Sequence, residues 1–183
     1  MPKVVLGAGT NCEIIVRMMS RWITLGAMEP LDFESLYAEL ASSQPHGAAP
    51  VLLWARAPKQ YLFALLAPRR VLPGRVSRWR SWGLAPAVAT YRQFGLAAYL
   101  EDEAIWLHGQ RIGESTVCAI DECIVVASGF LLWFPGACAP TPSRELEDAF
   151  RLRLEAQHGW QFDTSWLGAK PLVDRPDLAA DRA

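Results

Sequence analysis

Apolar residues along this chain fall into a few short periodic runs separated by polar and glycine- or proline-rich breaks. Residues 3–7 read as a strand, followed by Thr10-Asn-Cys-Glu13, the pattern of a capping box in which hydroxyl and carboxylate satisfy first-turn amides. Ile15, Met18, Met19 and Trp22 then recur at helical spacing, with Gly26 as a stop. A second helix is expected from a cap at Asp32, with Phe33, Leu36, Tyr37 and Leu40 on one face, ending near Pro45 and Gly47. Val51–Trp54 and Gln60–Leu66 read as strands divided by Pro58.

The stretch 68–86 holds Pro68, Pro73, Gly74, Gly83 and Pro86 among arginines and tryptophans, the composition of an irregular segment. A short helix over Ala87–Phe94 stops at Gly95, and strands are expected at 98–108, 111–119 and 123–134. The last helix has Thr141 as cap, Pro142 at its first position, Glu145 and Glu147 at the positive end of its dipole, and Leu146, Phe150 and Leu154 on one face. Gly159 ends it. The order of elements implies an α+β domain with a mostly antiparallel sheet flanked by helices, spanning 1–166. Residues 167–183, rich in Asp, Pro and Ala, read as a flexible tail.

At 183 residues, with 51% hydrophobic and 20% charged positions, the chain can bury one substantial core. No run approaches the roughly 20 apolar residues of a membrane span, and the amino terminus lacks the pattern of a signal peptide. Cys12, Cys118, Cys123 and Cys138 are scattered, as expected for free thiols, and a cytoplasmic setting follows. A net charge of −1 makes nucleic acid an unfavoured partner, although Arg69–Trp82 interleaves five arginines with Trp79 and Trp82 and could meet an anionic surface. The other reading of that segment is a loop whose arginines pair with the acidic residues at 101–103 and 121–122. His108, Cys118, Cys123, Cys138 and His158 lack the spacing of a zinc site. Gly7-Ala-Gly9 lacks the third glycine and the βαβ context of a dinucleotide fingerprint.

The most distinctive stretch is Asp102-Glu-Ala-Ile-Trp-Leu-His-Gly-Gln-Arg-Ile-Gly-Glu-Ser115, an apolar strand, a glycine turn and a second strand that carries a cation and small residues. It resembles the active-site hairpin of the biotin/lipoate protein ligase superfamily, which includes biotin protein ligase, lipoate protein ligase and octanoyltransferase. Gly109 matches the turn glycine, Arg111 the position of the family's lysine, and Gly113 the small residue where backbone approaches the ligand. Ala49-Pro-Val-Leu-Leu-Trp-Ala-Arg-Ala-Pro58 is similar to the family's early strand.

The resemblance implies a small-molecule carboxylate as ligand (lipoate, octanoate or biotin), ATP with Mg as cosubstrate, and a lipoyl or biotinyl carrier domain whose lysine accepts the acyl group. It makes Arg111 the candidate catalytic residue, with Gly109, Gly113, Ser115, Arg69 and Arg70 as candidate cofactor contacts. A fixed cation is needed there because two anions must meet before an acyl-adenylate forms. Two departures stand out. Region 69–80, set against the family's arginine and glycine-triplet loop, has one glycine and no triplet. Arg111 can clamp an anion bidentately but does not give up its proton. A non-catalytic relative that binds an acyl ligand or a protein partner is the alternative. Cys118 or Cys123 could carry an acyl group as in the transferase branch, but their acidic and apolar neighbours favour structural thiols.

Overall fold

The computed structural model describes residues 18–102 and 104–162. The expected strand at 3–7, the capping box at 10–13, the Gly7–Cys12 segment and the tail 167–183 lie outside the described residues.

Met18–Ala27 is a strand, β1, not the helix its methionine and tryptophan spacing suggests. It pairs in parallel with β2 (Val51–Arg56) through Arg21↔Val51 to Thr24↔Trp54, and on its other side with the short β9 (Trp160–Phe162). Trp22 packs into the core on one side of the sheet, while Ile23 and Leu25 pack against the core on the other. Neighbours on both edges and apolar contacts on both faces are what an internal parallel strand requires, and they override local helical spacing.

From β2 the chain turns through three residues into β3 (Gln60–Pro68), which is antiparallel to it. β3 in turn pairs along its whole length with β8 (Cys123–Leu131), from Gln60↔Leu131 to Pro68↔Cys123, and β7 (Thr116–Ile120) closes that edge. The six-stranded order is β7-β8-β3-β2-β1-β9. It is mixed: antiparallel on the β7 side and parallel around β1.

Alternation along β3 builds two cores. Tyr61, Phe63, Leu65 and Ala67 meet one side, and Leu62, Ala64 and Leu66 the other. The first side is covered by α2 (Trp79–Gln93) and α3 (Ser143–His158), whose Leu146, Phe150 and Leu154 are fully buried. The second is covered by α1 (Pro30–Ser43) through Phe33, Tyr37 and Ala41. α1 begins two residues before the expected cap, with Glu29 at the cap and Pro30 in the first turn. α3 starts at Ser143 with Pro142 at the cap, one residue later than expected, and ends on a left-handed Gly159.

Helix α2 reaches well into the stretch that its glycines and prolines mark as irregular. Pro86 sits inside it, and Gly83 lets it lie against β8, where an added Cβ would come within 2.6 Å of the Val126 side chain. Burial of Trp79, Leu84, Ala87, Val88 and Tyr91 offsets the missing proline amide.

The expected strand over 98–108 is two strands, β4 (Ala98–Glu101) and β5 (Ala104–Leu107), folded back on each other. The one over 111–119 is likewise divided, into β6 (Gln110–Gly113) and β7, at Glu114-Ser115. Strands β4, β5 and β6 form a separate antiparallel sheet. No helix among the described residues is long and apolar enough to cross a membrane.

Candidate functional site

A cleft of about 460 Å³ opens where the small sheet meets the α1 side of the large one. Its floor is Gln60 and Leu62 of β3 with Ala127, Ser128 and Gly129 of β8; its walls are Pro30, Phe33, Glu34 and Tyr37 of α1 and the run Arg111–Glu114, joined by Thr116. The volume suits a small organic ligand.

The hairpin that delivers Arg111 follows from two left-handed residues. His108 and Gly109 have φ of 50° and 76°, and Leu107 pairs with Gln110 across them, as in the tight two-residue turns that match strand twist. Nothing lies within 4 Å of a Cβ built on Gly109, so its part is in the turn and not in close contact with a guest. Gly113 differs: its backbone lies against β8, and a Cβ there would stand 3.4 Å from Ser128 Oγ and 3.6 Å from the Gly129 carbonyl. The Ser128 hydroxyl donates to the Glu114 carbonyl at 2.9 Å, tying the end of β6 to the floor.

Gly129 is demanded by packing. A side chain there would meet Gln60 Oε1 at 2.8 Å and the Tyr61 carbonyl at 2.9 Å.

Arg111 is exposed on the cleft wall and makes no hydrogen bond or ion pair with another described residue. A guanidinium in that state offers its donors to whatever enters. The first turn of α1, the positive end of its dipole, is also part of the wall. Two carboxylates, Glu34 and Glu114, line the same space.

Burial first, and then the adjacent Glu34 carboxylate, push Tyr37 up to about 12, so its phenol stays protonated. Burial and Glu34 raise the Cys118 thiol, and burial pushes Cys123 up to about 11. Thiols so raised are poor nucleophiles at neutral pH.

Among the residues singled out from sequence, Arg111 and Gly113 line the cleft, with Gly109 at the turn that sets their strand. Ser115 sits between Glu114 and Thr116 without itself lining the cleft. Arg69 and Arg70 are elsewhere. They follow the far end of β3, roughly 30 Å from Gln60 at about 3.3 Å per strand residue. Arg70 donates to the carbonyls of Gly47 and Ala48, and Arg69 lies 5.6 Å over the Trp79 ring. Region 69–80 forms short 3₁₀ turns and the start of α2, with no strand-loop over the cleft.

Glu34, Tyr37, Gln60 and Ser128 were not anticipated as site residues. Phe33 and Tyr37 read only as a core-facing stripe, and nothing local in the sequence ties them to the hairpin. No group of three His, Cys, Asp or Glu that could hold a metal is found among the described residues.

Among solved structures, similarity extends over most of the chain. A T. acidophilum protein solved with bound lipoic acid superposes with a TM-score of 0.65 at 12% identity, covering 80% of this chain and 88% of that one. Lipoate-protein ligase A bound with ATP gives 0.63 at 12% identity, with the same coverage of both chains. The fold is that of the biotin and lipoate protein ligases. The biotin side is represented by biotin acetyl coenzyme A carboxylase synthetase from Helicobacter pylori with bound biotinylated ATP, at a TM-score of 0.55 and 14% identity over 75% of each chain. No family model matches the sequence, and no curated protein does either. Set against the motif expected from the sequence, the two departures are the arginine at 111 and region 69–80, which has one glycine and no triplet.

Proposed function

We propose that this protein binds a small carboxylate of the lipoate, octanoate or biotin kind in the cleft between α1, β6 and β8, with Arg111 as the clamp for the carboxylate. The observation that carries the reading is an unengaged guanidinium on the wall of a ligand-sized cleft in a biotin/lipoate ligase fold. A cation so placed gains charge-assisted, bidentate hydrogen bonds when a carboxylate arrives. Gly113 keeps the wall thin beside it.

Binding is better supported than adenylation. A triphosphate needs several backbone amides or cations converging on it. Arg69 and Arg70 are engaged at the opposite end of β3, and region 69–80 has one glycine and no triplet. The reading is therefore an acyl-ligand binder descended from a ligase framework. Hand-over to a carrier-domain lysine would be a second step, and a cytoplasmic setting goes with it. A cysteine-borne acyl intermediate is disfavoured by the raised Cys118 and Cys123 thiols.

The test is a thermal-shift and calorimetric panel of lipoate, octanoate, biotin, ATP with Mg, and their pairs, run beside a pyrophosphate-release assay. A ligand bound only by the native state must raise its melting temperature. The expected result is a shift with a carboxylate alone, lost in Arg111→Gln, without pyrophosphate release. Release of pyrophosphate with a carboxylate and ATP would instead establish a working ligase. No shift with any carboxylate would overturn the reading.

A further inference from the structure

The cleft joins an apolar base, where Phe33, Leu62 and Ala127 are buried, to an exposed rim that carries the charges. On that rim Glu34 and Glu114, both exposed, accompany Arg111, with the Tyr37 hydroxyl beside Glu34. Neither glutamate has a cation within ion-pair distance among the described residues. A saturated chain can lie on the apolar base but gives the rim carboxylates no hydrogen bond.

The charges are also divided in space. Arg111 enters on the second residue of β6, beside the hairpin turn. Glu34 belongs to a different element, α1, next to Tyr37 and Thr116 at the start of β7. With one cation against two carboxylates, these three side chains sum to −1, and a monoanionic guest makes the occupied cleft more negative still.

We propose that the ligand is bipolar: a carboxylate that meets Arg111, joined by a short chain to a cationic nitrogen that meets Glu34. This rests on the carboxylate-binding reading above and keeps its carboxylate clamp, but the preferred tail ends in an ammonium, as in ω-amino acids. An ammonium carries three donors and no acceptor. Glu34 can take one as a charge-assisted bond, and the oxygens of Tyr37 and Thr116 beside it are suitable second and third partners. A metal ion in place of the ammonium lacks ligands, since no cluster of three suitable side chains surrounds Glu34 among the described residues. A zwitterion leaves the sum of cleft charges at −1, whereas octanoate takes it to −2 and a dicarboxylate to −3.

The experiment is calorimetric titration of the full-length protein with three probes of equal length: 8-aminooctanoate, octanoate and octanedioate. The expected order of affinity is amino acid, then monocarboxylate, then dicarboxylate, with about a tenfold step in Kd from the ammonium, typical of one hydrogen bond to a charged group. Glu34→Gln should reduce the preference for 8-aminooctanoate over octanoate to within about twofold. Since Glu34 is exposed, that variant is expected to fold. Arg111→Gln should weaken all three probes together. Octanoate binding as tightly as 8-aminooctanoate would overturn the bipolar ligand and leave carboxylate binding standing, as would a preference unmoved by Glu34→Gln and Glu114→Gln. Failure of all three probes to bind would overturn the bipolar ligand, and failure of lipoate and biotin as well would remove the carboxylate reading.

Discussion

Replacing Arg111 separates its part in binding from any part in folding. Its side chain is exposed and makes no hydrogen bond or ion pair with the described residues, so Arg111→Gln should change stability by no more than about 0.5 kcal/mol. A bound carboxylate, by contrast, would lose its one cationic partner in the cleft wall. Hydrogen bonds to charged groups contribute about 1.5–3 kcal/mol, and solvent access at the cleft mouth puts this one near the lower figure. That corresponds to roughly a tenfold rise in Kd. Arg111→Lys keeps the charge but loses the planar fork, so about a threefold loss is expected.

Calorimetry with octanoate at low and moderate salt reads all three proteins, and a melting curve of each controls for folding. Salt should weaken binding to the parent protein more than to Arg111→Gln, because screening acts on the charge that the variant lacks. Equal Kd values for parent and Arg111→Gln would refute the clamp. A large drop in melting temperature would refute the claim that this side chain is unengaged in the free protein.

Three further outcomes follow from packing and titration. Burial lowers the His158 pKa to about 4 from 6.5, so the folded state favours the neutral ring. Its contribution, up to about 3 kcal/mol, is complete above about pH 6.5 and is lost as pH falls towards 4. Chemical denaturation from pH 7.5 to 4.5 should show that slope and lose much of it in His158→Phe, which keeps an aromatic ring against Trp82.

Gly83→Ala gains about 1 kcal/mol of helix propensity but sets a methyl against Val126, so a net loss of about 1–2 kcal/mol is expected. Denaturant melts should show the loss, and Val126→Ala in the same chain should recover part of it. Gly129→Ala must displace Gln60 or the β3 backbone, and should cost about 1–3 kcal/mol in the same assay while weakening carboxylate binding.

Elements signalled by their own residues were legible in the sequence. α3 carries Pro142 near its start, acidic residues in its first turns, an apolar face and a left-handed Gly159 at its end, all within one segment. The β5–β6 turn at His108-Gly109 and the cation after it are equally local. What was not legible depends on distant partners. Met18, Met19 and Trp22 fit a helix and a strand alike until β2 and β9 flank them. Gly83 and Pro86 argue against a helix until Val126 requires the glycine and the core covers the rest. The division of 98–108 rests on Asp102, which takes a left-handed φ of 44° without being glycine. The candidate site divides in the same way. Arg111 could be chosen from its hairpin, but Glu34, Gln60 and Ser128 come from three other segments that only the sheet order brings together.

The two ends of β3 bear on how far the chemistry of the ligase fold can extend here. At one end, Gln60 and Leu62 floor a cleft with an unengaged guanidinium. At the other, Arg69 and Arg70 are occupied with an indole face and two backbone carbonyls. To serve a nucleotide in the cleft they would have to leave those partners and cross the length of the strand. A strand hydrogen-bonded to β2 and β8 along its length cannot translate to bring them there. The cationic groups needed to neutralise a polyphosphate beside a carboxylate are therefore not available near Arg111 from this segment. One guanidinium can hold one carboxylate, and a second anion next to it would face Glu34 and Glu114 with no further cation on the cleft wall among the described residues.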